Sequence, residues 1–141
     1  MMEFGVAVKR IAAAFAHRAN RSMEKHHLTV SQAEMIAYLN RRQRDGCPVI
    51  QRDIEEALNL SNPTVSGTLD RLEKKGMLVR VSNPENRRVN LVEITETARA
   101  LTKDVLGDLW DLQEKMLSCL DAQERETLDR LLTKILDNLA E

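Results

Sequence analysis

The chain is 141 residues long, 43% hydrophobic, 30% charged and only 3% aromatic, which provides one aliphatic core, excludes wholesale disorder and favours packed helices over a β-sandwich. No apolar run approaches the ~18 residues needed to span a bilayer, and Glu3, Lys9 and Arg10 interrupt the N-terminal apolar residues, so no signal-peptide pattern is present and a cytoplasmic protein with no membrane partner is expected. The formal net charge of −1 conceals a polarity: residues 1–88 carry a net +5 and residues 89–141 a net −6, leaving a basic part that can meet a polyanion.

Phe4, Val8, Ile11, Phe15, Ala19 and Met23 recur at steps of three and four, predicting a helix over roughly 4–25. Thr29-x-x-Gln32 has capping-box spacing, so a second helix starts near Val30. Asn40 to Pro48 is polar, contains Gly46 and reads as a loop. Gln51 to Leu58 is a short helix with Ile54, Ala57 and Leu58 inward; its start is weakly specified, because Ile50 occupies the position of a polar cap. Ser61 caps a stronger helix, with Pro63 in the first turn and Leu60 and Val65 at the staple positions. That helix stops at Gly76, after Lys74 and Lys75 at its negative end. Met77 to Val81 and the segment carrying Val89, Leu91 and Ile94 form a hairpin around the turn residues Ser82 to Asn86. A long helix follows from Thr95, with Ala98, Leu101, Val105, Leu109, Leu112 and Met116 on one stripe. Asp121-x-x-Glu124 opens the last helix, whose seam is Leu128, Leu131, Leu132, Ile135 and Leu139.

A short helix, a tight turn, a capped helix and a hairpin bearing arginines make the order of a helix-turn-helix plus wing. Val65, Leu69 and Leu72 turn the capped helix's apolar side inward. Its other side then carries Pro63, Gly67, Asp70, Arg71 and Lys74, flanked by Asn62, Thr64 and Ser66 and capped by Ser61. Small residues let a helix end descend into a major groove, where hydroxyls and free first-turn N–H groups meet phosphates and base edges. Gly67 in mid-helix costs about 1 kcal/mol against Ala; it serves either close approach to a nucleic-acid backbone, or packing, or nothing. Asp70 is suited to orienting Arg71 or Arg87, or to accepting from a cytosine amine; a structural salt bridge is the commoner case for such a residue. Arg87 and Arg88 at the hairpin turn suit a narrow minor groove, where the potential is more negative.

In Gln51-Arg52-Asp53-Ile54, Leu60 to Ser66, Leu69 to Gly76, Asn83-Pro84-Glu85-Asn86-Arg87-Arg88 and Leu91 to Thr95, the chain resembles the MarR family of bacterial winged-helix transcription regulators. Asn83 and Asn86 stand where the family usually has acids, and Ala98 where it usually has Gly. The resemblance implies a mainly α fold with a small wing. It divides the chain into an N-terminal dimerisation helix (1–28), a winged helix-turn-helix DNA-binding domain (29–95) and C-terminal dimerisation helices (96–141). It also implies a homodimer on a pseudo-palindromic operator, with half-sites about one turn (~10 bp) apart, a repressor's role, and release by a small phenolic or amphipathic effector. The long amphipathic first, fifth and sixth helices agree with a dimer on their own account.

His17 and Arg21 share a face of the first helix and are candidates to line an effector pocket or a dimer contact. Cys47 lies in a polar loop near Arg41, Arg42 and Arg44, which offers a redox-sensing alternative, while Cys119, beside Leu117 and Leu120, is expected to be buried. His26 and His27 diverge by about 100° on a helix, a poor metal pair, and read as a solvated helix end. No metal site and no cofactor are expected. An enzyme is disfavoured by the lack of a phosphate loop, a nucleophile elbow or a metal-ligand cluster. A helical adaptor that binds only protein would explain the bundle helices but not the arginine-bearing wing.

Overall fold

A computed structural model describes residues 2–140. The elements run α1 (Phe4–Met23), a 3-10 turn (Glu24–His26), α2 (Val30–Arg44), α3 (Gln51–Leu58), α4 (Asn62–Lys74), β1 (Leu78–Ser82), β2 (Asn90–Ile94), α5 (Glu96–Met116) and α6 (Ala122–Leu139). They fall into two compact units, one ending at Leu109 and the other beginning at Trp110.

In the first unit, Met35, Ile36, Leu39, Ile54, Val65, Leu69, Leu72 and Leu78 form a fully enclosed core, each side chain contributing about 1.5–3 kcal/mol by leaving water. The box predicted for α2 is present: Thr29 Oγ1 accepts from Gln32 N–H at 3.2 Å and Gln32 Oε1 from Thr29 N–H at 3.1 Å. α2 continues to Arg44, so the loop predicted from Asn40 begins only at Asp45. The added turn has its own support: the Arg41 guanidinium lies 5.8 Å from the Tyr38 ring centre, Gln43 Oε1 accepts from the Ile94 N–H, and Arg41, Arg42 and Arg44 complement the negative helix end.

In α3, Ile54 is buried and Leu58 half-buried, but Ala57 is exposed, contrary to the predicted inward set. The missing cap at Ile50 is partly made good from inside the helix, where Asp53 Oδ2 accepts from the Ile50 N–H at 2.9 Å. Asn59 ends α3 in the left-handed region (φ +52°), which asparagine tolerates. The hairpin pairs Leu78 with Ile94 through Ser82 with Asn90. A further rung, unforeseen in the sequence, joins it: Val92 N–H donates to the Val49 carbonyl at 2.8 Å, and Ile50 bridges Leu91.

The turn between α1 and α2 is gripped from two sides. Lys75 Nζ, at the end of α4, donates to the His27 carbonyl and to Gln32 Oε1. His26 Nε2 lies 2.6 Å from Asp108 Oδ2 on α5, with Lys25 Nζ 3.0 Å from the same oxygen. The predicted solvated end is thus corrected for His26, whose side chain is only 10% exposed, because α5 packs over it. His27, in contrast, is exposed and left-handed (φ +57°).

Along α1 only Ala19 and Met23 are buried; Phe4, Val8 and Ile11 of the predicted apolar face stand in solvent. In the second unit, Asp121 and Glu124 close the predicted capping box, and Arg125 pairs with Glu114 at 2.7 Å. α6 has no buried residue, and Leu131, Leu132, Ile135, Leu136 and Leu139 are exposed. Cys119 is exposed, not buried as expected, because it sits in the turn after α5. Among the described residues no helix is long and apolar enough to cross a membrane.

Candidate nucleic-acid interface

α4 owes its position to a buried side and a well-made start. Val65, Thr68, Leu69 and Leu72 are buried, which leaves Asn62, Pro63, Thr64, Asp70, Arg71 and Lys74 exposed and Ser66 and Gly67 half-exposed. Ser61 Oγ accepts from the Thr64 N–H at 3.3 Å and donates to Thr64 Oγ1 at 2.9 Å, so cap and flanking hydroxyl form one cluster at the positive helix end. Asn62 is oriented by α3: its Nδ2 donates to Glu55 Oε2 at 2.9 Å, and Gln51 Nε2 reaches the same carboxylate at 3.4 Å. Neither Glu55 nor Gln51 was singled out as a site residue. The i, i+4 spacing of the pair was visible, but its convergence on Asn62 depends on how α3 crosses α4.

Gly67 faces open space: a Cβ placed there would meet only the Arg71 guanidinium, at 3.6 Å, an ordinary contact. No internal packing therefore demands glycine. Arg71 and Lys74 make no ion pair among the described residues. Asp70 makes the structural salt bridge that the sequence reading allowed, but with a different arginine from those named. Its partner is neither Arg71 nor Arg87 but Arg80 of β1, whose Nη2 sits 2.9 Å from Asp70 Oδ1 while Nη1 sits 2.9 Å from Glu73 Oε1. Arg80 was not among the candidate residues; its pairing spans a turn and a strand, which helical spacing does not reveal.

Arg87 and Arg88 lie exposed in the loop between β1 and β2. Asn83 Oδ1 accepts from the Glu85 N–H at 3.0 Å, and Asn86 Oδ1 from the Arg88 N–H at 3.1 Å. An amide oxygen caps these turns as a carboxylate would, so Asn86 holds the backbone at Arg88 without adding a negative charge beside the guanidinium. Gln51, Arg80 and Arg88 line one hollow of about 200 Å³, which brings α3, β1 and the arginine loop to a common surface. His17 and Arg21 are both exposed on α1. Among the described residues no group of three His, Cys, Asp or Glu side chains is arranged to hold a metal ion.

A family model described as the MarR family matches residues 26–89, the stretch from the 3-10 turn through the arginine loop. The S. aureus MepR–DNA complex superposes with a TM-score of 0.90 at 25% identity, covering 98% of this chain and 99% of that one. Over that stretch the chain is similar to the MarR family, and its backbone has the fold of that complex. Its relatives include MhqR, an HTH-type transcriptional regulator of Bacillus subtilis (strain 168), 27% identical over 116 residues that cover 82% of this chain and 77% of MhqR. YdgJ of the same organism is 29% identical over 91 residues, 64% of this chain and 56% of YdgJ, so the match spans little more than half of that relative. Both relatives are named as HTH-type transcriptional regulators, and the mainly α winged-helix architecture expected from the sequence is the one present.

Proposed function

We propose that the chain is a sequence-specific regulator that binds double-stranded DNA as a homodimer, with α4 in the major groove and the Arg87–Arg88 loop in the adjacent minor groove. The observation that carries this reading is the exposed side of α4, small and hydroxyl-bearing at its capped end and basic at Arg71 and Lys74, beside a hairpin that presents two exposed arginines. The similarity to MepR in a DNA complex supports it. On this reading Ser61, Asn62, Pro63, Thr64, Ser66, Gly67, Asp70, Arg71, Lys74, Arg87 and Arg88 form the DNA-facing surface. Residues 29–95 are the DNA-binding domain, with 1–28 and 96–141 as dimerisation segments. The uncovered apolar residues of α1 and α6 support the dimer. We assign the protein the role of a cytoplasmic repressor released by a small phenolic or amphipathic effector, with His17 and Arg21 as candidate contacts to it.

The test is fluorescence anisotropy on duplexes carrying a pseudo-palindrome from the flanking genomic sequence, across a salt series. Arg87→Ala and Arg88→Ala should each weaken binding to many sequences and reduce the salt slope by about one. Changes at Asn62, Thr64 or Ser66 should alter sequence preference as well. Unchanged binding in every variant would overturn the site; salt-insensitive or absent duplex binding by the wild type would overturn the function.

A further inference from the structure

The outer side of α4 presents an electrostatic conflict. A surface that meets phosphates carries two carboxylates, Asp70 and Glu73, with side chains 59% and 43% exposed. The Arg80 guanidinium spans both, each at 2.9 Å, and is itself only 22% exposed. Both of its terminal nitrogens point at carboxylate oxygens. A planar fork suits this double contact in a way an ammonium does not. Arg80 stands on β1, so the contact also fixes the hairpin against α4, and Arg80 shares its hollow with Arg88 of the loop.

We propose that Arg80 is a positioning and charge-masking residue of the DNA interface, which holds the hairpin in register with α4 and neutralises Asp70 and Glu73 so that this side of the helix can approach a polyanion. The proposal rests on the DNA-binding reading of α4. It assigns Arg80 a role distinct from those of Arg71, Lys74, Arg87 and Arg88, which are exposed and make no ion pair among the described residues. Arg80 acts through the groups it silences.

The test compares wild type, Arg80→Ala, Arg80→Lys, the pair Asp70→Asn with Glu73→Gln, and the triple variant, in duplex-binding titrations from about 50 to about 200 mM salt. Arg80→Ala should lose about tenfold or more in affinity at the low-salt end, and the deficit should shrink as salt rises, because screening weakens repulsion between unmasked carboxylates and phosphates. Arg80→Lys should fall between wild type and Arg80→Ala, since it keeps the charge but lacks the fork that spans both carboxylates. The triple variant should bind more tightly than Arg80→Ala, recovering the part of the loss that comes from unmasked carboxylates. A triple variant as weak as Arg80→Ala would overturn the masking role and make Arg80 a direct DNA contact or a purely structural brace. A salt-independent deficit would overturn it equally. Thermal melts of each variant report folding, and Arg80→Lys and the Asp70→Asn with Glu73→Gln pair keep the test decisive should Arg80→Ala unfold. Loss of wild-type duplex binding would strike the parent reading instead.

Discussion

His26 and Asp108 lie 82 residues apart in sequence and 2.6 Å apart in space. The hydrogen bond from His26 holds the Asp108 carboxyl below its ordinary value, opposed by partial burial and assisted by Lys25. A carboxyl depressed on folding stabilises the folded state above its unfolded pKa, and that contribution is lost as pH falls through its folded value. Thermal unfolding of Asp108→Ala should therefore show a deficit of about 1 kcal/mol near neutrality that closes in acid, below the ordinary carboxylate range. A deficit independent of pH would mean that Asp108 contributes packing alone. Contacts of this kind are where the sequence was least informative. The partners of Asp70, His26 and Lys75 are fixed by how elements pack, and nothing local to Asp70 separates Arg80 from the nearer Arg71.

At the scale of elements, Gly67 sets stability against function. With space for a methyl group above it, Gly67→Ala should raise the unfolding free energy by about 1 kcal/mol in urea melts. In the proposed complex the same methyl meets the DNA backbone, so duplex affinity should fall although the protein is more stable. A stabilised variant with undiminished affinity would show that glycine is not required for close approach. The helix starts were legible because caps are local: Thr29 with Gln32, Ser61 with Thr64, and Asp121 with Glu124 all close within three residues. The end of α2 was not, because Asn40 to Arg44 are polar on every side and their helical state depends on Tyr38 and on the distant Ile94. The inward placement of Ala57 failed for a related reason: an alanine is compatible with either side of an eight-residue helix, and periodicity over two turns does not settle which.

For the whole molecule, the uncovered residues are as informative as the core. Phe4, Ile11, Leu136 and Leu139 are each more than 60% exposed, and α6 buries nothing within its own chain. Under the proposed homodimer, light scattering should give twice the chain mass at micromolar concentration. Leu136→Asp should shift the protein toward monomer and weaken duplex binding, because two half-sites are then no longer read together. A wild-type monomer under those conditions would defeat the assembly. The fold class was legible here because the order of elements and the asymmetry of each helix are properties of the chain itself, while in the proposed homodimer the surface that covers those residues belongs to another copy.

The backbone bond from Val92 to Val49 has a mechanical consequence. It rivets the strand behind the arginine loop to the lead-in of α3, so the two travel as a single lever. Under the proposed DNA-binding reading, a displacement of that lead-in should alter the reach of Arg87 and Arg88 together with the support beneath Asn62.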